Sequence, residues 1–309
     1  MSSPRDSWRE RRIPMEQDRD RVSIAGPRRH NFLTDIEPLT SAVIQASGLK
    51  NRGIRNALDV QLRHQDLTVP RLPEALEGFT ILHLSDLHFG TLPGLEEKAL
   101  SLLAGVEVDL VALTGDVQTY GKPTPPEITP WLGALKAGIQ SRFGWFAVLG
   151  NHDGHDMVPA LEQLGMTVLV NEQTTLRDGD HSIALTGVDD VNRFYTPEAE
   201  TALRALPEGD LRIALVHTPD MATMAAEIGA EVYLCGHTHG GQICLPGGKP
   251  VFVSLDTHKE LAVGPWTKGS MAGHTSSGLG VGVPPVRFNC RGEAVVIRLT
   301  RRPPPGADA

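Results

Sequence analysis

The chain has 309 residues, 40% of them hydrophobic and 21% charged, with a formal net charge of -8. That profile suits a soluble globular protein with a core that needs no disulfide staples. The acidic balance argues against a nucleic-acid binder, which would carry a basic footprint. Three cysteines, Cys235, Cys244 and Cys290, form no CxxC pair, which fits reduced thiols in a cytoplasmic protein, with Cys235 packed in an apolar run.

Residues 1–30 are rich in Arg, Asp and Glu. They read as the disordered part of an N-terminal arm spanning 1–56. The Arg excess would also suit peripheral contact with an anionic inner-membrane surface, against the simpler reading of a solvated tail. Arg28-Arg29 ahead of Phe32-Leu33 has the look of a twin-arginine export signal with the spacing off by one. No clean apolar region follows it, and no stretch approaches the roughly 20 apolar residues of a membrane helix. A short helix over Leu39–Ser47 and a strand within Ala57–Val69 lead into the main domain, expected at 57–302 before a flexible, Pro-rich tail at 303–309.

From Gly78 onward short apolar runs alternate with helical stretches. The runs are Thr80–Leu84, Leu110–Leu113, Trp145–Leu149, Ile183–Leu185, Ile213–Val216 and Val232–Cys235. Helices are expected over Glu96–Leu103, Ile128–Ala137, Met157–Leu164, Pro197–Leu206 and Pro219–Ile228. Solidly apolar runs of that length predict strands buried on both faces, hence an α/β fold. The runs end in Asp86-Leu87-His88, Gly115-Asp116, Gly150-Asn151-His152-Asp153, His217 and Gly236-His237-Thr238-His239. In open α/β sheets the ligand site lies beyond the carboxyl ends of the strands. Successive strands therefore bring Asp, Asn and His to one rim.

Imidazole mixed with carboxylate suits Mn, Fe or Zn rather than Mg or Ca. Seven such groups exceed one tetrahedral ion and fit two ions sharing a carboxylate. Two ions about 3.5–4 Å apart clamp the attacking and leaving oxygens of an in-line displacement and acidify a bound water. Gly115, Gly150 and Gly236 each precede a candidate ligand, where the chain must turn or approach closely.

These blocks, in this order, resemble the signature of the calcineurin-like metallophosphoesterase superfamily over about residues 78–300. Gly240-Gly241-Gln242-Ile243, Ser276–Gly280 and Pro285–Phe288 resemble a bacterial branch of membrane-associated phosphodiesterases and UDP-2,3-diacylglucosamine pyrophosphatases. The resemblance implies a four-layer αββα sandwich. It implies that Asp86, His88 and His239 hold one metal, that Asn151, His217 and His237 hold the other, and that Asp116 bridges them. His152 would stabilise the transition state and protonate the leaving oxygen, with Asp153 orienting its ring.

Other residues have competing readings. His83, inside a strand, reads as a satisfied core histidine, and His155-Asp156 as a helix cap or a helper. Arg193, Arg287, His258 and His274 are candidate contacts for a substrate phosphate, Arg287 equally a structural ion-pair partner. The expected activity is hydrolysis of a phosphodiester or pyrophosphate by a metal-bridging hydroxide, with Mn as the activator in vitro. A phosphate-containing small molecule, such as a nucleotide-linked lipid, is the expected substrate. The rivals are a phosphomonoesterase or phosphoprotein phosphatase using the same site, and a non-catalytic binding scaffold.

Overall fold

The computed structural model of the chain describes residues 3–18, 21–28, 32–255 and 257–301. Arg29 of the twin-arginine-like pair and the tail expected at 303–309 lie outside them. The strands of the two main sheets are β1 (Gln61–Thr68), β2 (Thr80–Leu84), β3 (Leu110–Thr114), β4 (Trp145–Val148), β5 (Thr167–Val168) and β6 (Glu172–Asp178). They continue with β7 (His181–Gly187), β8 (Leu211–Leu215), β9 (Val232–Cys235), β10 (Gly264–Lys268), β11 (Met271–Thr275) and β12 (Glu293–Thr300). One sheet runs β1-β12-β2-β3-β4-β5 and the other β6-β7-β8-β9-β11-β10.

β2, β3, β4 and β5 are mutually parallel, as are β7, β8, β9 and β11. Their carboxyl ends therefore open on the same side of each sheet. Side chains alternate across a strand, and here both faces are covered. Ile81, Leu110, Ala112, Phe146 and Val148 of the first sheet pack against Ile183, Leu185, Ile213, Val232 and Leu234 of the second. On its outer face the first sheet presents Leu82, Leu84, Val111 and Leu113 to helices Leu95–Leu103 and Pro125–Gly138. Ala184, Ala214 and Tyr233 of the second sheet meet helices Pro197–Arg204 and Ala222–Glu227. The result is the four-layer αββα sandwich. The predicted apolar runs coincide with β2, β3, β4, β7, β8 and β9 to within a few residues. Among the described residues no helix is long and apolar enough to cross a membrane.

β5, β6, β10, β11 and β12 lie outside the expected runs. β6 and β10 are sheet edges, whose residues are exposed or half-buried and carry no buried-strand pattern. β12 returns from the end of the chain to sit between β1 and β2, parallel to one and antiparallel to the other.

The largest departure from expectation is the arm. Pro4–Gln17 is a helix, α1, with a capping box in which Ser3 and Asp6 satisfy one another. Composition argued for disorder because apolar residues are scarce there. Polar pairing docks the helix instead: Trp8 Nε1 donates to Asp189 Oδ2 at 2.7 Å, Arg12 ion-pairs with Asp189, and Arg5 Nε donates to Glu172 at 2.9 Å.

Ile297, at the centre of β12, is fully buried between the sheets. Ile297→Ala should lower the unfolding free energy by about 2–5 kcal/mol, read as a shift of the urea midpoint at unchanged slope.

Candidate metal centre

The loops that follow the strands are tied to one another by their backbones before any side chain contributes. Asp86 N–H donates to the Gly115 carbonyl at 2.9 Å and His88 N–H to the Asp116 carbonyl at 3.1 Å, extending the β2–β3 pairing into the loops. Gly236 N–H donates to the His217 carbonyl at 2.8 Å in the same way. Asp86, His88, Asp116, His237 and His239 all have φ between 44° and 71°. Left-handed backbone is unfavourable for non-glycine residues by about 1–3 kcal/mol each and persists where the surroundings over-determine it. Here it turns the side chains off the strand direction and toward a common point. Gly150 and Gly236 serve a different need: a Cβ on the first would collide with Asp116 Oδ1, and on the second with Ser85 Oγ and Asp86 Oδ2.

Two groups of metal-capable side chains result, Asp86/His88/His239 and Asp116/His217/His237. In the first, His88 Nε2 and His239 Nε2 are 3.2 Å apart, and His239 Nε2 is 3.5 Å from Asp86 Oδ1. In the second, His217 Nε2 is 3.2 Å from Asp116 Oδ2 and 3.2 Å from Asn151 Oδ1, and His237 Nδ1 is 2.7 Å from that same oxygen. Asp116 Oδ2 also lies 3.7 Å from His88 Nε2. It stands between the two groups. The structure thus brings together all seven residues expected to be ligands.

Their hydrogen bonds test whether a cation fits. His217 Nδ1 faces the Thr114 carbonyl at 2.7 Å and His237 Nε2 faces the Ser254 carbonyl at 2.8 Å. A carbonyl only accepts, so each of those nitrogens holds a proton. In the neutral rings the opposite nitrogens then turn lone pairs toward Asn151 Oδ1, and in His217 toward Asp116 Oδ2 as well. Acceptors facing acceptors at these distances call for positive charge among them. Without a metal, burial disfavours the charged ring of His217, but Asp116, Asp86 and Asp190 together outweigh it and hold His217 protonated well above the ordinary imidazole range. In the other group burial, reinforced by His88, pushes His239 well below that range. This donor set fits two divalent cations, and the outer bonds to Thr114 and Ser254 orient the rings as in metal sites generally.

His152 sits at the edge of this set. Its Nδ1 accepts the Tyr120 N–H at 3.3 Å, which leaves the proton of the neutral ring on Nε2, 4.0 Å from Asp116 Oδ2. Burial pushes it down to about 3 against the pull of Asp116. Asp153 does not orient this ring. Its carboxylate accepts the N–H groups of Asp116 at 2.8 Å, Gly150 at 2.9 Å and Gln118 at 3.0 Å, clamping the two loops together. Burial and nearby Asp116 push it up to about 7 despite those bonds.

The weaker candidates fall elsewhere. Arg287 is fully buried and donates to the carbonyls of His239, Ser277, Gly278 and Gly280 at 2.6–3.1 Å; its charge is used on backbone, out of reach of a substrate phosphate. His274 is no pocket-rim residue either: its Nδ1 meets His83 Nδ1 at 3.0 Å inside the sandwich. His83, with Nε2 on Thr114 Oγ1 at 2.9 Å, is the satisfied core histidine expected. His258 is bonded to Thr223 and Glu260, and the Arg193 guanidinium lies 5.2 Å from the Phe194 ring centroid; neither belongs to the two metal-capable groups. His155 is held by Glu16, and Asp156 takes the helix N-cap position without a side-chain cap bond. Thr119, whose Oγ1 lies 2.8 Å from His88 Nδ1, Tyr120 and Ser254 escaped the sequence reading. They contribute backbone groups or a common hydroxyl, which no spacing rule marks.

Two outcomes are expected. Gly236→Ala should displace Asp86 and reduce bound metal by about one ion per chain, measured by elemental analysis, because the added methyl would overlap the Asp86 carboxylate and the Ser85 hydroxyl. In metal-free protein a cation must displace the His217 proton, so apparent Mn affinity should rise with pH by about tenfold per unit for each proton released. Calorimetry in buffers of different ionisation enthalpy counts those protons.

Residues 79–241 match the calcineurin-like phosphoesterase family. The chain is 32% identical over 236 residues to the uncharacterized metallophosphoesterase YkuE of Bacillus subtilis, covering 74% of this chain and 81% of YkuE. It is 28% identical over 232 residues to the phosphodiesterase YaeI of Escherichia coli, covering 72% of this chain and 82% of YaeI. It is 25% identical over 248 residues to the UDP-2,3-diacylglucosamine pyrophosphatase LpxG of Chlamydia trachomatis, covering 62% of this chain and 72% of LpxG. With its sandwich fold and its two clusters of metal-capable side chains, the chain belongs to the calcineurin-like phosphoesterases, metal-dependent hydrolases of phosphate esters.

Proposed function

We propose that the chain hydrolyses a phosphodiester or pyrophosphate bond with two divalent cations. Asp86, His88 and His239 would hold one, Asn151, His217 and His237 the other, and Asp116 would be shared. The observation that carries this reading is the place of Asp116 Oδ2, 3.2 Å from His217 Nε2 and 3.7 Å from His88 Nε2, between the two groups. When bound, the ions supply an acidified water and neutralise charge on the phosphoryl oxygens.

The chain's own residues do the rest. Asp116 fixes the spacing of the two halves, since its carboxylate is reached from both. His152 presents Nε2–H toward the centre and donates a hydrogen bond to the oxygen on which negative charge develops as the bond to phosphorus breaks, keeping its proton. The Tyr120 N–H on Nδ1 keeps the ring in the tautomer that can do so. The activities for which YaeI and LpxG are named favour a substrate with groups on both sides of the phosphorus. LpxG in particular supports a nucleotide-linked lipid as the substrate to try first. Mn is the metal to load first.

In Mn-loaded protein, bis-p-nitrophenyl phosphate should be turned over faster than p-nitrophenyl phosphate; the reverse order would install the monoesterase reading. Full metal content with no turnover of either would install the binding-scaffold reading. Asp116→Ala should empty both metal positions and abolish activity. His152→Ala should lower kcat by about 10²–10⁴-fold with metal content unchanged, and loss of metal in this variant would overturn the role given to His152.

A further inference from the structure

We infer that helix α1 is part of the active-site machinery, with Arg12 and Glu16 as positioning residues for His152, through the loop segment that follows it. The Arg12 side chain is 1% exposed. Its guanidinium is 3.4 Å from the centroid of the Phe194 ring and pairs with Asp189. Its Nη2 donates to the Asp153 carbonyl at 2.7 Å. Its Nε donates to Glu16 Oε1 at 3.1 Å. Glu16 in turn accepts the His155 N–H on Oε1 at 2.7 Å and meets His155 Nδ1 with Oε2 at 2.8 Å. The loop Gly150–His155 is thus held from below by the Asp153 carboxylate on the backbone of Asp116, Gln118 and Gly150. From the other side α1 holds its Asp153 carbonyl and its His155 N–H.

The chain just after α1 adds to the grip. Val22 and Ile24 N–H groups donate to the Arg193 and Val191 carbonyls at 3.2 and 2.9 Å, and the Tyr195 N–H donates to Val22 at 2.9 Å. α1 therefore docks on two loops that flank the metal-capable groups. The backbone points it binds lie one and three residues beyond His152. A displacement of a catalytic group by about 1 Å costs on the order of 10²-fold in rate, so these bonds have kinetic weight.

The kinetic part of this inference rests on the phosphodiesterase reading above; the structural part does not. In the full chain, Arg12→Met and Glu16→Ala should each speed amide exchange across residues 150–156 by about tenfold or more, about 1.4 kcal/mol or more of lost protection, with peptides around Asp86–His88 unchanged. With bis-p-nitrophenyl phosphate both should lower kcat by about 10–100-fold, with KM and metal content near wild type. Glu16→Gln keeps an acceptor for the His155 N–H and should restore most of the rate. It also guards against the case in which Arg12→Met, by stranding buried Asp189, fails to fold. Combined with His152→Ala, Glu16→Ala should cost little more, because both losses pass through one side chain. Unchanged exchange at 150–156 in the folded variants, or losses that multiply with His152→Ala, would overturn the assignment. If wild-type protein hydrolyses no phosphodiester, the functional reading fails, and the exchange result still decides whether α1 holds the loop.

Discussion

Asp86 and Asp116 place two carboxylates in a pocket almost closed to water, beside four imidazoles and a carboxamide. Burial penalises every charged form there, and in the second group the lone pairs point at one another. A second proton on His217 serves Asp116, but the neutral ring of His237, whose outward nitrogen already holds its proton against the Ser254 carbonyl, still turns a lone pair on Asn151 Oδ1. Positive charge from outside the chain resolves the conflict. Metal dependence in this family can be understood from that constraint, and so can the left-handed backbone at five of the seven residues. Backbone strain of that kind is tolerated where a bound ion and the surrounding packing both hold the geometry.

Holding such a site requires that the loops be as well satisfied as the strands. Buried backbone N–H and C=O groups need partners wherever no ladder supplies them. Asp153 and Arg287 meet that need with charged side chains, the one accepting three N–H groups and the other donating to the carbonyls of His239, Ser277 and Gly280. Both residue types suggest chemistry when read from sequence, and both work on the backbone. Arg12 belongs with them, reaching from a helix remote in sequence to the Asp153 carbonyl. The catalytic groups are few, and a larger set of polar residues keeps the peptide chain around them from moving.

The double layer of sheets explains how the groups converge. Strands parallel within each half deliver Asp86, Asp116 and Asn151 from one sheet and His217, His237 and His239 from the other. The inter-sheet core of Ile81, Leu110, Phe146, Ile213 and Leu234 sets the separation of the halves. Asp116 can lie near both groups only because that core brings the two sheet ends into register.

Strands β2, β3, β4, β7, β8 and β9 and the helices between them were legible in the sequence because residues buried on both faces must be apolar throughout, and the polar residues ending each run marked the rim. His237 and His239 were legible for the same local reason, as two imidazoles beside glycines at the end of an apolar run. The edge strands β6 and β10 were not, since a half-exposed edge imposes no such pattern. Nor was the docking of α1, whose anchors Trp8 and Arg12 find Asp189 and Asp153 more than 130 residues away. Composition there signals only the lack of apolar area, and pairing between distant charges leaves no trace in local periodicity. Residue chemistry and order thus determined the kind of site and where along the chain it lies. Whether Asp153, Arg287 and His274 face the substrate, the backbone or the core was decided in three dimensions, because a polar side chain's partner depends on which buried group lies within about 3 Å of it.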